Sequence, residues 1–257
     1  MNVRSDRFGL WFTLSMAGIA VAAYLVGFVW MPSVQAGAPN LWIALCRAAG
    51  LNPQSASAAP AAQSSIPSDV VWTVETRGTV ASGDAGRGGA LTAPCAGCHG
   101  AKGISPSDQF PNLAGQSADA VFKQLHDFHS GKRVSAFMQG IAAVLTEPQM
   151  ADLAAHFASL PPAPAATSAP PRLVTLGDPA RGLPPCAACH GPMGHKAGAP
   201  DLAGQKAAYL QAQLEAFAAG TRRNDINQQM REIARELKPD EIAAVAKWYG
   251  APAASAP

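Results

Sequence analysis

The chain has 257 residues, enough for one large or two small domains, with 19 basic and 17 acidic side chains and a net charge of +2. Charged residues make up 14 % and form no basic stripe, which excludes a nucleic-acid footprint. Abundant Ala, Gly and Pro with few β-branched runs speaks against an extended sheet and for short helices and loops.

Phe8–Met31 holds no charged residue. A helix of that length spans about 36 Å, enough to cross a hydrocarbon core of about 30 Å with some tilt. Arg4 and Arg7 precede it, so the N-terminus is expected to stay inside and the remainder to be exported. The competing reading is a cleaved signal peptide, with Val34-Gln35-Ala36 as its cleavage site, but the apolar run exceeds the usual h-region. Residues 1–51 are therefore read as a membrane anchor followed by an interfacial patch, Leu41–Cys46. Cys46 is expected to be a buried or interfacial thiol, since its surroundings fit a lipoprotein box poorly. Residues 52–80 are read as a flexible linker, because the Ala/Ser/Pro/Gln run at 52–69 cannot bury a core.

Beyond the linker the chain repeats itself. Gly83-Asp84 to His99 matches Gly177-Asp178 to His190, and Pro111-Asn-Leu-Ala-Gly-Gln116 matches Pro200-Asp-Leu-Ala-Gly-Gln205. Val121, Leu125, Phe128 and Gly131 match Leu210, Leu214, Phe217 and Gly220, a helical stripe ending at a glycine. Met138 and Met230 each precede an Ile-Ala pair three and four positions on. A last helix closes each copy: Thr146 and Gln149 form a capping box for the first, with Leu153, Phe157 and Leu160 inward, and Ile242, Val245 and Tyr249 line the second. The expected domains are 81–160 and 172–250, joined by the Pro/Ala-rich segment 161–171 and followed by a tail, 251–257. Each is expected to be a helix, the motif below, a loop and two further helices.

Each copy carries C-x-x-C-H: Cys95-Ala-Gly-Cys98-His99 and Cys186-Ala-Ala-Cys189-His190. This is the attachment signature of a c-type haem: the two thiols bond one porphyrin and the histidine binds its iron. A zinc site would need both motifs in one place, yet each lies inside its own repeat. A thioredoxin-like pair would need βαβ alternation, and a structural disulfide leaves both histidines without a purpose. Two covalently bound haem c groups are expected, attached at Cys95, Cys98, Cys186 and Cys189. Domains this small bury little by themselves, so neither is expected to fold without its haem.

The second axial ligand decides between a closed electron carrier and an open, reactive haem. Met138 and Met230 lie in register, 39 and 40 residues after their motif histidines, and are the expected partners of His99 and His190. Met150 aligns with Ile242 and reads as core, while Met193 is too near His190 to reach the far face. His126, His129, His156 and His195 share no repeated role and read as solvated surface residues. The carbonyls of Pro111 and Pro200 are placed to accept from the ligating imidazoles. Arg133 and Arg222 are candidates for pairing with haem propionates.

The paired motifs, the P-[ND]-L-A-G-Q segments, the QL…F…G-[KT]-R runs and the methionines before Ile-Ala resemble the dihaem cytochrome c4 family over about residues 81–250. The resemblance implies an all-α fold of two tandem class I cytochrome c domains, here behind a single transmembrane helix and a flexible linker. It also implies His/Met ligation of both haems, a periplasmic location and electron delivery to terminal oxidases. The expected protein is a single-pass inner-membrane electron carrier rather than an enzyme. Its expected partners are redox proteins, a quinol-oxidising complex as donor and a terminal oxidase as acceptor, with no nucleic acid. The alternatives are a permanent dihaem subunit of an oxidase or dehydrogenase complex, or a dihaem peroxidase.

Overall fold

The computed structural model describes residues 3–30, 67–191 and 194–250, within two units, Met1–Gln63 and Ser64–Pro257. In the first unit, helix α1 (Val3–Tyr24) continues as a π-helical stretch, Leu25–Trp30. Leu10–Gly27, with a mean hydropathy of 1.8 and no residue buried, is long and apolar enough to cross a membrane by length and composition. Thr13 and Ser15 turn their hydroxyls back onto the carbonyls of Leu10 and Trp11, so the polar atoms of this apolar helix are satisfied internally. The cleavage-site candidate, Leu41–Cys46, Met31, Met193, the tail and the linker up to residue 66 lie outside the described residues.

In the second unit the first copy comprises α2 (Val74–Ala81), α3 (Ala85–Ala90), α4 (Ala93–His99), α5 (Ala118–His129), α6 (Ala136–Ala142) and α7 (Glu147–Ser159). The second comprises α8 (Arg172–Thr175), two 3-10 turns (Pro179–Arg181 and Cys186–Ala188), a two-residue ribbon of β1 (His190–Gly191) and β2 (Gly194–His195), and α9 (Ala207–Ala218). A further 3-10 turn, Ile226–Gln228, leads into α10 (Gln229–Glu236) and α11 (Pro239–Tyr249). The expected all-α architecture holds, with that ribbon the exception among the described residues.

Several expected elements form for the expected reasons. Thr146 and Gln149 make the reciprocal capping box that starts α7. Gly131 and Gly220 end α5 and α9 with φ of 73° and 70°, a conformation that penalises a side chain. Leu153, Phe157, Ile242, Val245 and Tyr249 are buried on the inner faces of α7 and α11, and Met150 is core, 1 % exposed.

Three expectations change. Residues 67–80, assigned to the linker, pack into the first copy: Val70 and Val80 join a core with Val121, Phe122 and Met150. Thr73 caps α2 by accepting from the Thr76 N–H, and Ser68 donates to the buried carboxylate of Asp127 at 2.5 Å. Each copy has three helices after its motif rather than two, since Met138 and Met230 sit in short helices of their own, α6 and α10. The histidines are not uniformly solvated. His129 and His195 are exposed, but His126 is half-buried with Nδ1 out of reach of any hydrogen-bond partner among the described residues. His156 is half-buried too, its Nδ1 donating to the Ala85 carbonyl at 3.1 Å, because α3 crosses α7 at that point.

That crossing is possible because Gly83 and Gly88 have no side chains. A Cβ at either would meet the Ala151 or Asp152 carbonyl oxygen at 2.2 or 2.0 Å. Arg87 then clamps α3 to α7 through Asp152 at 2.7 Å. In the second copy Arg181 makes the matching clamp to Glu241 at 2.7 Å and to Asp178.

Candidate functional site

Both motifs open onto one continuous cavity of about 1300 Å³. Single-ligand pockets run to about 300–1,000 Å³, so the space suits two large groups rather than one small ligand. Its wall includes Cys95, Cys98, His99 and Met138 from the first copy and Cys186, Cys189, His190 and Met230 from the second. All eight residues named from the sequence therefore meet in one lined space, four per copy. None of the four motif cysteines is in a disulfide, which leaves each sulfur available for attachment.

The histidines are held by the backbone acceptors expected of them. Nδ1 of His99 donates to the Pro111 carbonyl at 2.8 Å, and Nδ1 of His190 to the Pro200 carbonyl at 2.8 Å. A carbonyl can only accept, so each ring carries its proton on Nδ1 and keeps the Nε2 lone pair free for a metal. Burial pushes both imidazole pKa values down, with the carbonyls opposing it, which favours the neutral form that can ligate. The N–H of Met138 is fixed by the Ser135 cap of α6 at 3.4 Å; Met230 lies in the first turn of α10.

Sequence reasoning missed how the copies face one another. Gln205 of the second loop grips both backbone groups of Asn112, accepting its N–H at 2.7 Å and donating to its carbonyl at 2.9 Å. Gln116 of the first loop does the same to Asp201, at 3.1 and 2.7 Å. Equivalent residues thus make equivalent contacts in both directions, the self-complementary pattern of a two-fold interface written within one chain. The signal was visible as the repeated Gln ending each P-x-L-A-G-Q segment. Gly115 and Gly204, with φ of 72° and 71°, let both loops lie against the connector, where a Cβ would meet Pro162 at 2.4 Å or the Ala163 carbonyl at 2.4 Å.

Beside this interface Arg133 and Arg222, also repeat equivalents, face each other across the cavity wall. Arg133 donates to Gln124, Tyr209 and Gln213, and Arg222 to Gln213, Gln124 and Asn224. Each guanidinium lies over a ring of its own copy, Phe128 at 4.7 Å and Phe217 at 4.4 Å. Neither pairs with a carboxylate among the described residues, and burial together with Arg133 pulls the Arg222 pKa down to about 9. Asp108, Asp201 and Asp225 also line the cavity, and Asp127 and Asp225 partly offset the fall in the Arg222 pKa, but neither guanidinium is in direct contact with a carboxylate, so both keep donor capacity for an anionic ligand. The carboxylates of a porphyrin match that capacity, the apolar lining suits its ring, and the thiols, imidazoles and thioethers suit its edge and iron. The residues present fit the group.

The rims of the two pockets differ. Around the first, Val134, Phe137 and Val144 are 81, 84 and 80 % exposed. Around the second, the residues in register with Phe137 and Val144 are Gln229 and Glu236.

The family model for cytochrome c matches residues 85–161 and 185–249. The chain is 41 % identical to a cytochrome c4 of Pseudomonas aeruginosa, over 65 % of this chain and 88 % of that protein. It is 45 % identical to a thiosulfate dehydrogenase electron acceptor of Stutzerimonas stutzeri, over 60 % of this chain and 77 % of that protein. The crystal structure of reduced cytochrome c4 from Pseudomonas stutzeri superposes with a TM-score of 0.61 at 33 % identity, covering 66 % of this chain and 98 % of that one.

Proposed function

Since the chain belongs to the cytochrome c family, in its dihaem cytochrome c4 branch, we propose that it is a membrane-anchored carrier on the periplasmic face of an inner membrane. It holds two covalently bound haem c groups and transfers electrons. Bound haem supplies an iron that takes up and releases one electron at a time. The chain's own residues do the rest. Cys95, Cys98, Cys186 and Cys189 would tether the porphyrins, and His99 with Met138 and His190 with Met230 would ligate the two irons. A closed site resists small-molecule ligands and raises the potential, which suits transfer rather than peroxide chemistry.

The single observation that carries this reading is the shared cavity. The residues assigned to both haems line one space, four from each copy, so the chain would hold its two haems side by side. The exposed apolar rim of Val134, Phe137 and Val144 supports a protein partner at the first pocket, because transient redox complexes need a desolvated contact without a large charge cost.

The proposed donor is a quinol-oxidising complex and the acceptor a terminal oxidase. A second donor is favoured by the likeness to a thiosulfate dehydrogenase electron acceptor, which would make a thiosulfate dehydrogenase the source. The apolar helix Leu10–Gly27 supports the anchor by its length and composition. The test uses the full chain purified in detergent. Intact mass should match Met1–Pro257 plus two haems, the oxidised protein should show thioether-to-iron absorption from both haems, and carbon monoxide should bind neither reduced haem. A resting haem that takes up carbon monoxide would favour the peroxidase alternative. Co-purification with an oxidase or dehydrogenase through a high-salt wash would favour the permanent-subunit alternative.

A further inference from the structure

The closing helices α7 and α11 are in register: Met150 corresponds to Ile242, Leu153 to Val245 and Phe157 to Tyr249. Phe157 and Tyr249 occupy the same place in their domains. They are 4 and 1 % exposed, and both line the cavity. Each carbonyl accepts from the glycine of its loop, Gly115 to Phe157 and Gly204 to Tyr249, both at 2.9 Å. What separates them is one hydroxyl group.

That hydroxyl is buried and has no hydrogen-bond partner among the described residues. A buried polar group left unpaired costs about 1–3 kcal/mol, so an acceptor belongs at this place when the pocket is filled. The sulfur of Cys186 shares the cluster and the cavity of Tyr249. After burial itself, a charge on that sulfur is what pushes the phenol pKa up. As a free thiol Cys186 donates to the Leu173 carbonyl at 3.4 Å. Attachment removes that donor: the S–H adds across a vinyl group, sulfur to one carbon and hydrogen to the other. The resulting thioether sulfur can only accept, and the phenol is the donor beside it.

We propose that Tyr249 sets the second haem apart from the first, its hydroxyl donating to the Cys186 sulfur once that sulfur is bonded to the porphyrin. The positive end of the O–H dipole then faces the second haem alone. In a pocket of low dielectric it stabilises the electron-rich, reduced state and raises that haem's potential. The inference rests on the assignment of Cys186 as a haem attachment, made above. Tyr249 is a positioning residue here, acting on the iron through the porphyrin edge.

The test compares the full-length holoprotein with Tyr249→Phe, which keeps the ring and removes only the hydroxyl, and with Phe157→Tyr, which adds one to the first pocket. Each haem is followed through its own hyperfine-shifted methyl resonances during a redox titration. In Tyr249→Phe the half-reduced protein should shift its electron at least threefold toward the first haem, about 30 mV, with the first midpoint unmoved. Phe157→Tyr should raise the first midpoint instead. A purely structural hydroxyl would change melting temperature and leave the partition alone. Unchanged partition in Tyr249→Phe, or both midpoints moving together, overturns the inference. If Tyr249→Phe retains only one haem, Phe157→Tyr decides: a raised first midpoint supports the inference and an unmoved one overturns it. Haem counting on the unsubstituted protein separates the two failures, since fewer than two haems would defeat the site assignment itself.

Discussion

The first copy reaches its haem motif through helices and the second through prolines. From Gly83 to Cys95 there are twelve positions, room for α3 and the start of α4; from Gly177 to Cys186 there are nine, and Pro179, Pro184 and Pro185 fall among them. The second copy therefore makes a 3-10 turn where the first has α3, and its motif is a 3-10 turn followed by a short ribbon where the first has α4. Backing elements differ in proportion. Behind the first pocket, α2 and α3 pack on α7 with Val80, Met150, Ala151 and Ala154 buried between them. Behind the second, among the described residues, the four-residue α8 contributes Val174 and the Pro179–Arg181 turn contributes the arginine clamp. Two copies of one design thus depend on their cofactors to different extents, and the second has less protein to fall back on.

The largest effect that exposes this difference is loss of a cofactor. Cys186→Ser with Cys189→Ser should leave one haem per chain and unfold the second domain. Cys95→Ser with Cys98→Ser should also leave one haem, but α2, α3 and α7 should keep part of their helicity. Pyridine haemochrome counts the haems and far-ultraviolet circular dichroism reads the helix; equal loss of helix in the two variants would break the comparison. Next come the axial ligands, where the copies should behave alike. Met138→Ala and Met230→Ala should each open one haem to carbon monoxide while both haems stay attached. If neither variant binds carbon monoxide, the methionine assignment is wrong.

The candidate site residues were legible because chemistry constrains them locally. Cys-x-x-Cys-His needs its spacing to grip one porphyrin, and a duplicated chain showed Met138 and Met230 as a pair rather than as two stray apolar residues. The Pro111 and Pro200 carbonyls followed from the need of an imidazole for an acceptor. The interface was not legible, because it is made between residues about 90 positions apart whose types say nothing of whom they face. Gln116 and Gln205 repeat, but a repeated Gln reads equally well as part of each domain alone. Residues 67–80 were misread for a related reason. Val70, Trp72 and Val80 show no clear periodicity, and only the tertiary core to which they belong gives them a place.

The interface supplies a smaller, symmetric test. Gln116→Ala removes two hydrogen bonds and Gln205→Ala three, the third from the Lys206 N–H, and each leaves a backbone N–H and carbonyl of the other copy unpaired, a cost of about 1–3 kcal/mol. Each should lower the melting temperature of the holoprotein by a similar amount. The double variant should cost about the sum of the two, since the two glutamines share no partner. A large inequality between the single variants would show that the two-fold pattern is geometric without being energetic.

The smallest effect concerns the arginine clamps, which the copies build from acids on different turns of the closing helix. In the first, Arg87 and the Asp84 N–H hold the Asp152 carboxyl below its usual range. In the second, Arg181 and the Lys238 N–H bring Glu241 from 4.5 down to about 2. A carboxylate whose pKa is lower folded than unfolded stabilises the fold above the unfolded value and loses that contribution as pH falls toward the folded one. For Glu241 the window runs from about 4.5 to about 2. Both clamps are partly solvated, so each contributes modestly. They differ in what lies beside them. Asp152 sits where α3 and α7 touch backbone to backbone, a contact that persists on protonation, whereas Glu241 ties α11 to a lone turn. Hydrogen exchange through α11 should therefore accelerate before that through α7 as the holoprotein is acidified across this window. Glu241→Gln should remove the difference by making α11 fast already at neutral pH. Equal acid sensitivity of α7 and α11 would mean that the helices behind the first haem add nothing to its resistance.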